Sequence, residues 1–235
     1  MNSCGGWANR ELGLASVSMD GKTWGVAKLD GQLIIPLAYQ SIYFCGEYIE
    51  VKQNDKFGLI DINNKQFIEP KYESLSCPTK QYAIAQQNGK YGLINLSDKP
   101  MTEFRYQQMR FLNDELIKVR ENHQYGAINT DGKIIANIKY QDIREDDGYL
   151  RVSYQDKGGV IDRTGKIVLP FDYELIGWIN EHKIIIAKKE QEQIKYGFAD
   201  LKTGKTLVKP MYDKVSAFHD GMAAVRVDDR WGICQ

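Results

Sequence analysis

The feature that most constrains this sequence is an aromatic-glycine pair that recurs at nearly constant spacing. The pairs are Trp24-Gly25, Phe57-Gly58, Tyr91-Gly92, Tyr125-Gly126, Tyr196-Gly197 and Trp231-Gly232, and Gly158-Gly159 keeps the same phase without the aromatic. Successive second glycines lie 33, 34, 34, 33, 38 and 35 residues apart. A period of this length indicates an array of small structural units that bury apolar surface against their neighbours.

A tyrosine follows each of the first six repeat glycines at nearly the same distance. The six are Tyr39, Tyr72, Tyr106, Tyr140, Tyr173 and Tyr212; the first five lie at one fixed distance from the glycine, and the sixth lies one position further on. A proline precedes the tyrosine by two or three positions in four units, at Pro36, Pro70, Pro170 and Pro210. The rings supply apolar area to each interface, and proline suits a sheet edge because it has no N–H. We therefore assign structural roles to the aromatic, glycine and tyrosine positions.

The segments between these positions have the pattern of strands and hairpin turns. Short runs rich in Ile, Val, Leu and Tyr are bounded by pairs such as Asp30-Gly31, Asn88-Gly89 and Asp131-Gly132, which suit turns with positive φ. No segment keeps helical spacing of apolar residues for three turns. The sequence therefore predicts an all-β chain of tandem antiparallel β-hairpin repeats, each of about 34 residues.

The phase of the two ends bears on how the repeats are arranged. We predict one array over residues 1–235, with a partial unit at 1–23, six full units at 24–228 and a partial unit at 229–235. Each end holds a whole aromatic-glycine hairpin, which favours an open, curved solenoid over the alternative of a closed, propeller-like ring. Val26 and Ile233, near the two ends, are expected to be uncapped.

The pattern resembles the WG (KWG) repeat family of bacterial β-repeat proteins. The resemblance is carried by segments such as 88–95, 165–173 and 229–233, and it covers about residues 12 to 235. It implies tandem hairpin units that have no established enzymatic activity of their own and serve as interaction modules. The third unit has Ser97-Asp98-Lys99 in place of the family's Gly-Lys turn, and the third and fourth units lack the proline, so both are expected to be less regular.

Charge and apolar runs exclude two classes of partner. The 31 basic and 31 acidic residues give a net charge of zero, and they are also balanced along the chain. This balance argues against non-specific nucleic-acid binding. No apolar run approaches the roughly 18 residues of a membrane helix, and residues 1–10 do not form a signal peptide. We expect a cytoplasmic protein, or one of the cell envelope if a signal segment has been removed.

The four cysteines follow no ligand or redox pattern. Cys4, Cys45, Cys77 and Cys234 are separated by 41, 32 and 157 residues, which matches neither a zinc nor a Cys-x-x-Cys motif. We predict four reduced thiols. The alternative is a disulfide between Cys4 and Cys234.

Histidines and carboxylates suggest no active site. His123, His182 and His219 occupy turn-like stretches of different units. The acidic clusters at 145–147 and 228–229 read as turn residues, which need only water and a backbone amide. We predict no catalytic residue, no metal site and no cofactor.

The fifth unit departs most from the others. It has the longest interval between successive repeat glycines, from Gly159 to Gly197, and its surplus lies in 188–195. Insertions in repeat arrays often lie on the binding face. Candidate partner-binding residues are Trp178, Lys188, Lys189, Glu190 and Gln191. The alternatives are that Trp178 fills the space left by the missing aromatic at Gly158, and that 188–195 is a solvated hairpin extension.

A regular β scaffold without a catalytic constellation suggests a binding protein rather than an enzyme. We expect a non-enzymatic module or scaffold that recognises a protein partner, and an inhibitor or immunity protein for a toxin is one concrete version. The alternative is a carbohydrate- or cell-envelope-binding protein that uses aromatic platforms. Tyrosines buried between units would support the first role, whereas rows of exposed rings would support glycan stacking.

Overall fold

The computed structural model describes residues 8, 9 and 11–235, and all regular elements in this part are β-strands. This confirms the all-β prediction. The strands are β1 Ala8–Asn9, β2 Leu14–Ser18, β3 Trp24–Lys28, β4 Leu33–Tyr39, β5 Ser41–Cys45, β6 Tyr48–Gln53, β7 Lys56–Asp61, β8 Gln66–Tyr72, β9 Ser74–Leu75, β10 Tyr82–Gln87, β11 Lys90–Asn95, β12 Gln108–Phe111, β13 Leu116–Glu121, β14 Gln124–Asn129, β15 Ile134–Tyr140, β16 Asp142–Asp146, β17 Tyr149–Tyr154, β18 Lys157–Asp162, β19 Ile167–Tyr173, β20 Leu175–Asn180, β21 Lys183–Glu190, β22 Gln193–Asp200, β23 Lys205–Tyr212, β24 Lys214–Val215, β25 Ala223–Val227 and β26 Arg230–Cys234.

The strands pair antiparallel with their neighbours in the chain, and each sheet corresponds to about one repeat. Within the described residues each sheet ends in two separate edge strands, so none closes into a barrel. The predicted tandem antiparallel hairpin repeats are confirmed. The choice between an open solenoid and a closed ring stays a prediction of the sequence, as do the unit boundaries at 1–23, 24–228 and 229–235.

The chain forms two compact units, Met1–Asp114 with Thr130–Gly132, and Glu115–Asn129 with Lys133–Gln235. The first contains the sheets β1–β4, β5–β8 and β9–β11 and the strand β12; the second contains β13–β15, β16–β19, β20–β23 and β24–β26. Within the described part, no helix has the length and apolar character needed to cross a membrane.

Each core joins the later strands of one sheet to the early strands of the next. In the first unit, Val26 and Ile35 pack with Ile42, Ile49 and Val51 of the following sheet. In the second unit, a core of the same kind is formed by Val160, Leu169, Ile184 and Ile186. Val26 is fully buried there, so the expectation that it is uncapped is wrong, because the sheet β5–β8 covers it.

The aromatic-glycine pair sets the register of the fourth strand in each regular sheet. The aromatic position pairs with the repeat tyrosine, as Phe57 does with Tyr72, and an irregularity in the pairing lies opposite the glycine. A Cβ added to Gly58 would lie 2.6 Å from the Ile68 carbonyl oxygen and 2.7 Å from the Pro70 nitrogen. The glycine is required because the backbone of the fourth strand occupies the place of a side chain.

The repeated tyrosines are mostly buried. Tyr72, Tyr106, Tyr140 and Tyr173 are buried, and Tyr39 and Tyr212 are half-buried. The Tyr72 hydroxyl donates a hydrogen bond to Asp98 Oδ1 at 2.7 Å. Burial, and then this carboxylate, raises the pKa of Tyr72 above its usual value. These rings therefore serve packing rather than an exposed aromatic row.

The third and fourth units differ in regularity. In the third, the fourth strand is reduced to bridges that pair Tyr91 with Tyr106 and Ile94 with Pro100, in agreement with the expectation. The fourth unit has a regular strand β15, so the expectation is wrong there. Its strand needs no proline because Ile138 supplies the contact against Gly126, where an added Cβ would lie 2.7 Å from Ile138 Cγ1.

Two cysteines form a disulfide that was not predicted from the sequence. Cys45 and Cys77 are bonded, with their Cα atoms 5.4 Å apart and a sequence separation of 32 residues. The prediction of four reduced thiols is therefore wrong, because these cysteines occupy nearly the same phase of consecutive repeats and the fold brings that phase together. Cys234 is half-buried at the end of β26. Cys4, and with it the alternative bond to Cys234, lies outside the described residues.

Candidate functional site

Charged side chains lie inside the second unit at positions where the alternating pattern would place them in solvent. Lys118 on β13 and Arg151 on β17 are only 7% and 9% exposed. Both precede the valine that pairs with the repeat glycine, so they occupy equivalent positions in consecutive repeats. The sequence pattern does not indicate them, because a charged residue in a strand ordinarily lies on a solvated face, whereas these central strands are covered on both faces.

The buried charge of Lys118 is fully compensated by neighbouring groups. Its Nζ donates to the Asp142 carboxylate and, at 3.0 Å, to the Ile143 carbonyl oxygen, and it lies 3.9 Å from the centre of the Tyr125 ring. Burial alone would raise the pKa of Asp142, but hydrogen bonds from Lys118 and Arg144 outweigh it and hold this pKa below its usual value. This cation joins two sheets and has no capacity left for a ligand.

The buried guanidinium of Arg151 has only some of the hydrogen-bond partners that it needs. Its Nη1 donates to the Gly177 carbonyl oxygen at 2.8 Å, and its Nε lies 3.4 Å from Asp146 Oδ2. Nη2 is buried and has no hydrogen-bond partner among the described residues. The guanidinium lies 4.5 Å from the centre of the Trp178 ring. An incompletely bonded cation is therefore held beneath an aromatic side chain.

Trp178 projects from a bulge in β20. The pairing of β20 with β21 is irregular between Ile176 and Ile179, and the side chain of Trp178 is 67% exposed. Bulges re-aim side chains, which explains this exposure in the middle of a strand. Ile176, rather than Trp178, lies against Gly158, where an added Cβ would be 2.9 Å from Ile176 Cγ1. The alternative that Trp178 fills the space at Gly158 is wrong.

A small polar cavity adjoins this bulge. It has a volume of about 140 Å³. Its lining consists of Asp142, Arg144, Arg151, Val152, Ser153 and Ile176. Arg144 is largely exposed, and its Nε lies 2.9 Å from Asp142 Oδ2. Trp178, Arg151 and this cavity form what we call the Trp178 surface. It combines an exposed aromatic ring with polar groups recessed beside it.

The other partner-binding candidates lie elsewhere on the fifth unit. β21 and β22 continue as a hairpin to a two-residue turn at Gln191 and Glu192, both with positive φ. Lys189 Nζ lies 3.6 Å from Glu192 Oε1. Lys188 Nζ lies 5.5 Å from the Tyr173 ring centre.

The hairpin tip is distant from the Trp178 surface. At about 3.3 Å per residue, Gln191 lies roughly 20 Å along the strand from Ile185, opposite the bulge. The structure therefore places the hairpin tip at Glu190 and Gln191 away from Trp178, and the grouping of Trp178 with Lys188 and Lys189 stays a prediction.

The histidines and acidic clusters form surface contacts. Donor atoms of Glu181, His219 and Asp220 lie within 4.8 Å of one another, and all three residues are exposed. Glu181 also accepts a hydrogen bond from Gly221 N at 3.1 Å. His182 Nδ1 lies 3.6 Å from Asp147 Oδ2, and His123 lies in an exposed turn. These groups hold turns together, and the prediction of no metal site stays a prediction.

Glu50 on β6 of the first unit occupies the position equivalent to Lys118 and Arg151. Its burial predicts that the stability of the fold depends on pH. It pairs with Tyr43 and Leu59, and burial raises the pKa of its carboxyl from 4.5 to about 7. The folded state therefore holds a proton that the unfolded chain releases. Its contribution to stability is present below about pH 4.5 and is lost as the pH rises through about 7.

We expect Glu50→Gln to remove this decrease in stability with rising pH. Because Glu50 is only partly buried, the wild type should lose about 1 kcal/mol relative to the variant between about pH 5 and about pH 8. Urea unfolding of both proteins at the two pH values measures the difference. An equal or growing advantage of the wild type at the higher pH would contradict this prediction.

The match to one protein family agrees with the repeat structure. A family model described as WG containing repeat matches residues 24–57, 57–91, 91–122, 125–157, 159–191 and 196–231. No curated protein matches the chain. The chain is similar in structure to Hsv2p of Kluyveromyces lactis, at 12% identity over 91% of this chain and 85% of that one, with a TM-score of 0.39. It is also similar to the Pan2 WD40 domain of Neurospora crassa, at 14% identity over 80% and 72%, with a TM-score of 0.31.

Proposed function

The chain belongs to the family of WG containing repeat proteins, and from this premise we propose that it is a non-enzymatic module that binds a protein partner through the Trp178 surface. The observation that carries the proposal is the exposed Trp178 ring, held over the buried Arg151 and next to a polar cavity that the exposed Arg144 also lines. Tryptophan and arginine dominate the energetics of protein interfaces because they bury large areas and pair with many groups. An inhibitor or immunity protein for a toxin is one concrete form of such a module.

The acidic clusters support a non-enzymatic role. Asp146 accepts a hydrogen bond from Ile179 N at 3.0 Å and faces Arg151, while Glu145 faces Arg163 at 3.6 Å. Carboxylates engaged in this way stabilise turns and neighbouring strands, whereas a general acid and base need access to a substrate.

The repeated tyrosines bear on the glycan alternative. Glycan stacking calls for a row of exposed rings, and four of the six repeat tyrosines are buried. The repeat tyrosines therefore do not support glycan binding, and we favour a protein partner.

The disulfide supports a location in an oxidising compartment. Bonds such as Cys45–Cys77 persist outside the reducing cytosol. We therefore prefer the cell envelope to the cytoplasm as the site of action, and a thiol titration of protein taken from source cells tests this preference.

The binding proposal predicts a selective effect of Trp178→Ala. A stoichiometric partner identified by affinity capture should, once purified, bind the variant about 30-fold more weakly, because truncation of a central tryptophan costs about 2 kcal/mol. The variant should keep its stability within about 1 kcal/mol, since it loses only the contact with Arg151. Isothermal titration calorimetry and urea unfolding measure the two quantities.

Tyr43→Ala is the matched control. Tyr43 is also an exposed aromatic, at 54%, but it lies on β5 in the first unit. It should bind the partner with unchanged affinity. Unchanged binding by Trp178→Ala together with loss of binding by Tyr43→Ala would place the interface on the first unit and contradict the assignment.

A further inference from the structure

The two buried cations of the second unit meet different residues in the sheet that follows each of them. Lys118 donates to the carboxylate of Asp142, the first residue of β16, which lies two residues after the repeat tyrosine. For Arg151 the residue at this place in the next sheet is Leu175, the first residue of β20. Leucine has no polar side-chain atom, so Arg151 lacks the carboxylate that neutralises the equivalent Lys118.

The remaining neighbours of Arg151 do not replace this carboxylate. Asp146 lies 3.4 Å from Nε, but the same oxygen also accepts a hydrogen bond from Ile179 N. The Gly177 carbonyl that accepts from Nη1 is neutral, and Nη2 has no partner in the part of the chain that the structure describes. Burial lowers the pKa of Arg151 although Asp146 opposes this effect. A further acceptor with a negative charge would satisfy both the free donor and the charge.

The polar cavity of the Trp178 surface lies where such an acceptor would enter. It is bounded by β16 and β17 of one sheet and by Ile176 of the next, and its volume is about 140 Å³. At about 30 Å³ per water molecule it holds about four waters, which is enough for a carboxylate and the methylene groups next to it. The lining residues Arg144 and Ser153 carry further hydrogen-bond donors.

The charge of the surrounding groups favours an anion in this cavity. Ion pairs link three cations to two carboxylates, so one positive charge remains; the cations are Lys118, Arg144 and Arg151, and the carboxylates are Asp142 and Asp146. A recess with walls of low polarity focuses the field of such a charge. A small anion is therefore attracted, whereas a cation is repelled.

The rim of the cavity favours a protein as the source of this anion. Leu175 and Trp178 lie on either side of Ile176 in β20, and both side chains are largely exposed. An apolar rim around a polar recess has the character of an interface that a macromolecule covers. A free small anion would leave this apolar area in water, whereas an acidic side chain on a protein surface would bring the surface that covers it.

We propose that this cavity receives an aspartate or glutamate side chain of the protein partner, whose carboxylate gives Arg151 what Asp142 gives Lys118. Nη2 of Arg151 and the Arg144 guanidinium donate to the carboxylate. The exposed Trp178 ring rotates aside to open the path to the recessed guanidinium and then packs on the methylene groups of the entering side chain. This inference rests on the proposed function, because it names the group that the partner presents to the Trp178 surface.

The first test uses glutamate blocked as its N-acetyl α-amide, with the equally blocked glutamine as the neutral isostere, titrated into the whole ¹⁵N-labelled chain. We expect saturable NMR shifts of the Arg151 Nε–H and Trp178 Nε1–H signals with blocked glutamate only, because only this probe carries a charged acceptor. No saturable shift with blocked glutamate, or equal shifts with both probes, would overturn the proposal.

Leu175→Asp is the decisive variant because it builds into the chain the carboxylate that Arg151 lacks. It should weaken the binding of blocked glutamate at least about tenfold, since a second carboxylate would meet a like charge. Leu175→Asn, which has the same shape without the charge, should stay within about twofold of the wild type. The exposed position tolerates both changes, and equal melting temperatures check this. Wild-type affinity of Leu175→Asp would overturn the proposal.

The purified partner separates this inference from the proposed function. Leu175→Asp should weaken partner binding at least about tenfold, and Leu175→Asn should change it no more than about threefold. A partner that Trp178→Ala weakens and Leu175→Asp does not would overturn this inference and leave the proposed function in place. Binding of blocked glutamate by a chain that captures no protein would contradict the proposed function and assign the cavity to a free carboxylate, which overturns the assignment to a partner side chain.

Discussion

Gly58→Val and Gly197→Val are each expected to destabilise the chain by about 4 kcal/mol or more. In both cases a Cβ would lie 2.3 to 2.6 Å from a backbone carbonyl oxygen of the fourth strand. Backbone in a paired strand cannot yield as a flexible side chain does, so the strand must leave the sheet or the hairpin must distort. Loss of the strand would also remove its apolar side chains from the core, the buried Ile68 of β8 or the partly buried Val208 of β23.

Gly232→Val is the matched control for this prediction, because it makes the same change in the same motif. Its Cβ meets open space, so its free energy of unfolding should stay within about 0.5 kcal/mol of the wild type. Urea unfolding of the three variants measures the contrast. Comparable destabilisation at all three positions would mean that the glycines serve backbone conformation rather than the approach of the fourth strand.

Removal of the Cys45–Cys77 bond is the second large effect we expect. The bond closes a loop of 32 residues between consecutive sheets of the first unit. Closing such a loop restricts the unfolded chain, and the chain-entropy relation gives about 3–4 kcal/mol of stabilisation. The double variant Cys45→Ala/Cys77→Ala should therefore unfold at a clearly lower urea concentration than the oxidised wild type.

Two controls isolate the bond from the side chains. Cys234→Ala should unfold like the wild type, and addition of reductant should lower the midpoint of the wild type but not that of the double variant. Identical midpoints for oxidised and reduced wild type would contradict the assignment of this disulfide.

The repeat pattern predicted most of the fold because its key residues act locally. The aromatic, glycine and tyrosine positions set strand pairing within one unit, and local pairing appears directly as sequence phase. Phase also explains the disulfide in retrospect, because Cys45 follows Gly25 and Cys77 follows Gly58 at distances that differ by a single position. Their spacing matches no isolated motif, and only the repeat frame reveals that they meet.

The candidate site was less predictable because it depends on contacts between units. Trp178 was predicted as a candidate because it lies in the unit that departs most from the repeat, but its place in a bulge follows from pairing between β20 and β21. Arg151 was not predicted because a charged residue in a strand is ordinarily assigned to the solvated face. Its signal is its equivalence to Lys118 of the preceding repeat, which shares the same place before a valine.

Amide hydrogen exchange at the aromatic positions tests the central claim most directly, namely that the repeat aromatic and the repeat tyrosine pair the third strand with the fourth in the earlier repeats. In the third unit, Tyr91 N donates to the Tyr106 carbonyl oxygen at 2.9 Å, and the amides of Trp24, Phe57, Tyr125 and Tyr196 have equivalent partners. These amides should exchange slowly in the free chain, and the Trp231 amide should exchange rapidly. A Trp231 amide as protected as the others would contradict the account, because protection would then not depend on the fourth strand.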